Sequence, residues 1–204
     1  MLLSLSLHAQ ERCGVEAKLL LSPIELQAVV SSLNAGKETT SQIYFFDTGT
    51  LDLLSQGLII RLRQGATNDL TVKVRQPGGK EFFDSSGKEG HWKCEDDFVG
   101  SGSTRSYSIA VKFVTRQLPN TGIELFELLT AGQRELLKQA HVSVDWVGVT
   151  RIAVIHSIDW HAAPGPPLNK VTLEMWKWKS GQVLELSTRA SPGSGPSRYA
   201  ELRH

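Results

Sequence analysis

The chain has 204 residues, of which 40% are hydrophobic and 21% are charged, and its formal net charge at pH 7 is +1. This size and composition are typical of a single globular domain, and the near-zero net charge excludes a protein that coats nucleic acid through bulk basicity. No apolar run approaches the roughly 18 residues that a membrane-spanning helix needs. We therefore expect no nucleic acid and no membrane among its partners.

The N-terminal stretch and the cysteines bear on the cellular compartment. The residues MLLSLSLHAQ are similar to a truncated signal peptide, but no Lys or Arg precedes their short apolar part. We therefore predict a cytoplasmic protein. Cys13 and Cys94 fit no zinc-binding spacing and are too few for a disulfide scaffold. Free thiols in a reducing compartment are the expectation.

The first half of the chain alternates strand patterns with short helical ones. A helix is predicted over residues 22–36, where Ser22 and Glu25 form a capping box, and a helical turn over residues 51–57. The two strands that flank the polar turn after residue 64 predict a hairpin. The predicted strands of this half cover residues 14–21, 40–48, 58–64, 69–76 and 91–98.

The second half begins with helical patterns at residues 106–117 and 123–140, although Gly132 weakens the second. Three more strands are predicted at residues 147–160, 169–179 and 182–189. Residues 191–204, rich in Gly, Pro and Ser at their start, predict a hinge followed by a C-terminal tail that is either loose or separately docked. Eight strands with helices between them predict one α+β domain over residues 1–204, built on an eight-stranded antiparallel sheet or closed β-barrel.

Charged residues recur two apart on these strands, which places them on one face of each strand. A solvated outer face would explain any single pair, but the pattern recurs on at least four strands with both signs, which favours a charged barrel interior. Unpaired charge buried there would be costly. An interior that is wet and holds a polyanion with a divalent cation avoids that cost, since Arg and Lys bind phosphate oxygens and carboxylates bind Mg²⁺ or Mn²⁺. The residues in this pattern are Glu16, Lys18, Arg61, Arg63, Lys73, Arg75, Lys93, Glu95, Asp97, Glu174 and Glu185.

The same segments carry a family resemblance. VEAKLLL (15–21) resembles part of an ExExK motif, and YFFDTGTLDLLSQGLIIRLRQ (44–64) is similar to a YFDT…L…GLALRLR stretch. LTVKVRQ (70–76), KCEDDF (93–98) and VTLEMWKWKSGQVLELST (171–188) follow in the order of the same family. From about residue 13 to residue 190, the chain thus resembles the CYTH domain superfamily, the triphosphate tunnel metalloenzymes, which include class IV adenylate cyclases and thiamine triphosphatases.

This resemblance implies an eight-stranded antiparallel tunnel that binds a triphosphate or another short polyphosphate together with Mg²⁺ or Mn²⁺. Members of the family hydrolyse inorganic triphosphate, thiamine triphosphate or nucleoside triphosphates, and some cyclise ATP. Carried over by position, the implied catalytic acids are Glu16, Glu95, Glu174 and Glu185, and the implied metal ligands are Glu16, Glu174 and Glu185. The implied phosphate ligands are Lys18, Arg61, Arg63, Lys73, Arg75 and Arg151.

Two acids of the family pattern are missing. Gly14 stands where the first Glu of ExExK is expected, and Trp176 stands where the second Glu of a late ExE pair is common. Fewer carboxylates predict weaker metal binding and poorer activation of water. Trp176 is predicted to narrow the interior or to stack on an organic group. Asp159, a potential replacement acid, is better explained as a turn or surface residue.

Three functional hypotheses follow. The first is a metal-dependent hydrolase of a triphosphate or other short polyphosphate group. The second is a catalytically weakened module that binds a polyphosphate or nucleotide and has lost part of its acidic metal site. The third is an unrelated barrel that binds an apolar ligand, in which case the charge pairs lie on the surface. The identity of the phosphate compound and the oligomeric state are not predicted.

Overall fold

The computed structural model describes residues 13–76, 89–113 and 117–203. Within these ranges the chain forms nine β-strands and five α-helices. The strands are β1 (Gly14–Leu21), β2 (Thr39–Asp47), β3 (Leu58–Gly65), β4 (Asp69–Gln76), β5 (His91–Val99), β6 (Gly102–Lys112), β7 (Thr150–Ala162), β8 (Val171–Trp178) and β9 (Gly181–Ala190). The helices are α1 (Leu26–Ser32), α2 (Asp52–Ser55), α3 (Gly122–Leu128), α4 (Ala131–Gln139) and α5 (Gly195–Leu202), and a short 3-10 turn (Pro23–Glu25) precedes α1.

The described strands close into a barrel in the order β1-β5-β6-β4-β3-β2-β7-β8-β9. The prediction of a barrel with inserted helices is confirmed, but its eight-stranded, all-antiparallel form is wrong. β1 pairs in parallel with β5, with Gly14 opposite Glu95, while the other neighbouring pairs are antiparallel. This parallel pair joins the N-terminal strand to the middle of the chain.

The additional strand is β6, which occupies part of the segment predicted as a helix at residues 106–117. Tyr107 and Ile109 are buried in the outer core of the barrel, and Ser106 and Ser108 point to the opposite face. This alternation has the period of two that a strand requires, so burial of the aromatic and β-branched side chains favours a strand over a helix. The helical prediction for this segment is wrong.

The helical region at residues 123–140 is two helices rather than one. Thr130 accepts a hydrogen bond from the backbone N–H of Gln133 (3.3 Å), and this capping box starts α4. The buried side-chain amide of Gln133 then donates to the backbone carbonyls of Leu70 and Ile109. These two bonds hold α4 against β4 and β6.

Two apolar clusters lie on the outside of the barrel. One joins the outward residues of β2, β3, β4 and β6, such as Leu62 and Val72, to Leu125 and Leu136 of helices α3 and α4. The other joins β8 and β9 to helices α1 and α5. Because apolar residues alternate with charged ones along β3 and β4, covering one face with helices turns the charged face inward.

The C-terminal residues, predicted to be either loose or separately docked, form helix α5, which packs on the barrel. Leu202 is buried in the second cluster, and the ring of Tyr199 lies 5.9 Å from the ring of Phe98. Arg198 donates to the backbone carbonyl of Pro167. The loose alternative is wrong because α5 has an apolar side that the Gly- and Pro-rich start of the tail does not reveal.

Cys13 and Cys94 form a disulfide, with their Cα atoms 4.8 Å apart. The prediction of free thiols is therefore wrong. The parallel pairing of β1 with β5 brings together two residues that are 81 positions apart in the chain. Among the described residues, no helix is both long enough and apolar enough to cross a membrane.

Candidate functional site

Several ion pairs cross the barrel, and they show which face the charged residues occupy. Arg63 Nη2 lies 3.7 Å from Glu174 Oε1, although β2 and β7 separate their strands. Lys73 Nζ lies 2.7 Å from Asp97 Oδ2, although β6 lies between them. Neighbouring strands are about 4.8 Å apart, so these short distances require side chains that project into the concave side. The charged residues therefore face the barrel interior.

Four cationic residues on β3 and β4 form what we call the basic wall: Arg61, Arg63, Lys73 and Arg75. The Nε atoms of Arg61 and Arg63 are buried and have no hydrogen-bond partner within the described ranges of the chain. Among the residues that the structure describes, Arg61 also forms no ion pair. Burial, followed by the charge of Arg63, lowers the pKa of Arg61 in spite of nearby carboxylates. The wall thus holds buried guanidinium N–H groups that lack an acceptor.

Lys18 lies among carboxylates. Its Nζ is 3.1 Å from Glu185 Oε1, 3.2 Å from Glu16 Oε2 and 4.0 Å from Asp97 Oδ1. Burial alone would lower the pKa of Lys18, but these carboxylates outweigh burial and raise it. Asp97 contacts Lys73 as well. Burial alone would raise the pKa of Asp97, but the charges of Lys73 and Lys18 outweigh burial and lower it. Lys18 is therefore more fully compensated than Arg61.

Three carboxylates form an acidic row, defined as Asp159, Glu174 and Glu185. The register places Glu174 directly opposite Asp159 on one side and Glu185 on the other. The hydroxyl of Ser157 donates towards both Glu174 Oε1 (2.8 Å) and Asp159 Oδ1 (3.1 Å). Like charges directly opposite in a sheet destabilise it unless a proton or a cation intervenes.

The pKa values in the acidic row reflect this repulsion. Burial and the charge of Glu174 raise the pKa of Asp159 to about 6. Burial raises the pKa of Glu185 too, against the charge of Lys18. Glu174 behaves differently, because Trp176, Ser157 and Arg63 outweigh burial and lower its pKa. Glu174 is thus the member of the row that keeps its negative charge most firmly.

The resemblance assigns metal binding to Glu16, Glu174 and Glu185. Within residues 13–76, 89–113 and 117–203, no three His, Cys, Asp or Glu side chains are placed so that they alone could hold a metal ion. Mg²⁺, however, is commonly bound through one or two carboxylates together with phosphate oxygens. Glu174 and Glu185 are opposite each other and repel, so this pair fits a cation that a phosphate group helps to hold.

The remaining predicted residues lie in different places. Glu95 faces the interior, where its Oε1 is 3.5 Å from Lys93 Nζ and 3.8 Å from Arg189 Nε. Arg151 does not join the charged interior. The β2–β7 register shifts after Phe45, so that Arg151 pairs with Phe46, and its guanidinium lies 5.6 Å from the centre of the outward ring of Tyr44. A phosphate ligand at Arg151 is therefore not supported.

Sequence reasoning missed some residues of the site. Asp97 was placed on the charged face but given no role, and it contacts both Lys18 and Lys73. Asp159 was assigned to a turn or the surface, which is wrong, because it lies in β7 and is 8% exposed. The signal for Asp159 was its spacing from Ser157 in an alternating strand. Trp176 lies in the interior with its ring 5.9 Å from that of Phe45.

No protein-family model matches the chain, and no curated protein sequence matches it. Solved structures do. One is HpAC1, a protein from Hippeastrum that is named as an adenylyl cyclase and described as having a dominant triphosphatase activity. It is 18% identical to this chain with a TM-score of 0.60, and the match covers 92% of this chain and 83% of that one. A protein from Bacillus halodurans named as an adenylate cyclase is 13% identical with a TM-score of 0.62, covering 94% and 88%.

These matches establish a shared fold. Both proteins are named as adenylate cyclases, which is one of the activities in the superfamily that the sequence motifs resemble. The closed barrel with inserted helices is therefore a fold that this chain shares with both proteins. At this level of identity the likeness says nothing about the reaction, because one fold supports many functions.

Proposed function

We propose that the chain binds a triphosphate or another short linear polyphosphate in the barrel interior and hydrolyses it. The observation that carries this proposal is the pair of buried Nε groups of Arg61 and Arg63, which have no hydrogen-bond partner. A buried donor without an acceptor costs stability, so such groups call for an explanation such as a missing ligand. Phosphate oxygens are strong acceptors for guanidinium groups.

The rest of the basic wall supports the same ligand. Asp97 contacts both Lys73 and Lys18. Lys73 can therefore bind a phosphate oxygen while Asp97 keeps Lys18 as a partner. Arg75 is exposed at the end of β4 and adds a positive charge near Asp97. A linear ligand that carries several negative charges would neutralise these cations together.

The acidic row supports a second ion. We propose that Glu174 and Glu185, with phosphate oxygens of the ligand, hold Mg²⁺ or Mn²⁺, and that Glu16 contributes from the neighbouring strand β1. A divalent ion there would neutralise charge on the phosphoryl group and lower the pKa of a bound water. The chain itself would orient the phosphates through Arg61 and Arg63 and keep Glu174 charged through Arg63 and Ser157.

One observation favours the second candidate, a binding module with little activity. Lys18 lies within 3.2 Å of both Glu16 and Glu185, so two of the three implied metal ligands are already compensated. The positions of Gly14 and Trp176 supply no replacement carboxylate on β1 or β8. Asp159 is the nearby acid that could take over, and it shares the hydroxyl of Ser157 with Glu174.

A phosphate-release assay separates the two candidates. Inorganic triphosphate, thiamine triphosphate and ATP are each tested with Mg²⁺ and Mn²⁺, alongside thermal unfolding with the same compounds. Turnover that a chelator abolishes supports the hydrolase, and stabilisation without turnover supports the binding module. Neither turnover nor stabilisation with any of these compounds would contradict both. The variant Arg203→Gln, at the exposed end of α5, is the matched control for substitutions of the interior arginines.

The compartment remains a proposal. We predicted a cytoplasmic protein from the sequence, but the Cys13–Cys94 disulfide counts against a reducing compartment, where disulfides are rare. Labelling of thiols in protein taken directly from cells, before and after reduction, decides between a reducing and an oxidising compartment. Thiols that react without prior reduction would support the cytoplasm.

A further inference from the structure

A cavity of about 880 Å³ opens at one end of the barrel. We call it the barrel mouth and define it by its interior-facing residues Glu16, His161, Thr172, Ser187 and Arg189. Its outer rim comes from residues 34–36 and 167–170 and from Arg198 of α5. Of the residues that line this cavity, the function proposed above uses only Glu16.

The barrel mouth borders the charged interior. Glu16 lines the cavity, and its Oε2 lies 3.2 Å from Lys18 Nζ, which belongs to the interior. Ser187 lies directly opposite Lys18 in the pairing of β1 with β9. The ion pair of Glu16 with Lys18 therefore lies where the barrel mouth meets the charged interior.

Cationic side chains outnumber carboxylates in the lining of the barrel mouth, although Glu95 and Glu201, which lie outside the lining, partly compensate Arg189 and Arg198. Lys170, Arg189 and Arg198 line the cavity, against the single carboxylate of Glu16. Arg189 is held loosely, since its side chain is 68% exposed and its Nε is 4.0 Å from Glu16 and 3.8 Å from Glu95. The Nε of Arg198 is buried without a hydrogen-bond partner, although its Nη1 contacts Glu201. These cations favour an anionic group.

The lining also argues against a planar organic group. Among the described residues that line the cavity there is no Phe, Tyr or Trp. The imidazole of His161 is therefore the single aromatic ring in this lining against which a nucleobase could stack. That imidazole already meets the hydroxyl of Thr172 at 3.2 Å. Hydroxyl groups and cations, which this cavity offers, are the usual partners of phosphate oxygens.

We propose that the barrel mouth is a second anion subsite, which holds the outer end of a linear polyphosphate longer than a triphosphate. The inference rests on the proposed function, because it assumes that the inner phosphates lie on the basic wall. Arg189 and Lys170 bind the outer phosphates, and the chain therefore binds longer polyphosphates more tightly than triphosphate.

The test compares inorganic triphosphate, a longer linear polyphosphate and ATP by calorimetric titration of three proteins. These are the wild type, the double variant Lys170→Ala/Arg189→Ala and the matched control Lys177→Ala/Arg203→Ala. The control removes one Lys and one Arg from exposed positions outside the cavity, on β8 and at the end of α5. We expect the mouth variant to lose about three- to tenfold more affinity for the long polyphosphate than for triphosphate, since exposed charge pairs contribute modestly.

Each other outcome contradicts a defined part of the inference. Equal losses for triphosphate and the long polyphosphate, or a loss no larger than in the control, would overturn the second subsite and leave the proposed function intact. A larger loss for ATP than for the long polyphosphate would assign the barrel mouth to an organic group and overturn the inference as well. No binding of any ligand to the wild type would overturn the proposed function, and the subsite with it.

Discussion

The basic wall on β3 and β4 and the acidic row on β7, β8 and β9 face each other across the barrel, but their charges are compensated differently. In the acidic row, Ser157 bridges Asp159 and Glu174, and Lys18 contacts Glu185. In the basic wall, Arg61 has no ion-pair partner among the described residues, and two Nε groups are buried without acceptors. A buried charge without compensation costs stability, and such a cost calls for an explanation. This difference is the basis of our proposal that the basic wall is the side that receives the ligand.

The largest effect is expected from breaking the Cys13–Cys94 disulfide, which links β1 to β5. This link helps to keep the basic wall and the acidic row facing each other. A cross-link between residues 81 apart restricts the unfolded chain, and its loss typically costs about 2–4 kcal/mol. We expect Cys13→Ser to lower the free energy of unfolding by that amount in urea denaturation. Wild-type protein kept in a dithiol reductant is the control and should match the variant. An unchanged free energy would mean that the thiols are free.

The next largest effect is expected from Arg61→Gln, which removes the uncompensated charge from the basic wall. We expect triphosphate affinity to fall about tenfold to hundredfold, because a hydrogen bond to a charged group contributes about 1.5–3 kcal/mol. The melting temperature should not fall, since the substitution removes a buried charge without an ion-pair partner. Arg203→Gln should change neither quantity. A variant that binds normally but unfolds more easily would mean that Arg61 is structural.

Asp159→Asn tests whether repulsion in the acidic row is real. The pKa of Asp159 is about 6 when folded, above the ordinary value of 3.8, so the folded state binds the proton more tightly than the unfolded state. Its contribution to stability is therefore present below pH 4 and is lost as the pH rises through 6. We expect Asp159→Asn to be more stable than the wild type at pH 8, with a smaller pH dependence between 4 and 7. Thermal unfolding across this range measures both. An equal pH dependence of stability in the variant and the wild type would contradict the repulsion.

Gly14→Glu is expected to have the smallest effect and would strengthen the acidic side. A Cβ at this position meets nothing closer than the backbone carbonyl of Cys94 at 3.9 Å, so the strand has room for a side chain. Because Gly14 shares its face with Glu16 and Lys18, the new carboxylate would point inward. We expect a few-fold tighter binding of Mn²⁺ in the presence of triphosphate. Gly14→Gln is the matched control without charge and should leave Mn²⁺ affinity unchanged.

The sequence predicted those parts of the fold where local patterns and tertiary packing agree. The hairpin of β3 and β4 and the capping box at Ser22 follow from alternation and from a local motif, and both are present. The segment of β6 was predicted as a helix, although Tyr107 and Ile109 alternate there with serines. The parallel pairing of β1 with β5, and the disulfide that follows from it, depend on contacts that no local pattern encodes.

The interior-facing residues of the candidate site were predicted from the same alternation, whereas Arg151 was assigned from the family resemblance alone. Arg61, Arg63 and Lys73 reach the interior because their strands are regular. Arg151 does not, because the register shift in the β2–β7 pairing puts it opposite Phe46 on the outer face. The acidic row could not be predicted as a unit, since it depends on the register of three strands.

The central claim is that the basic wall binds phosphate, and a crystal structure of the chain with inorganic triphosphate tests it most directly. We predict phosphate oxygens within hydrogen-bonding distance of Arg61 Nε and Arg63 Nε, the two buried donors that lack an acceptor. Triphosphate bound on the outer face of the barrel, with both Nε groups still without a partner, would contradict the claim.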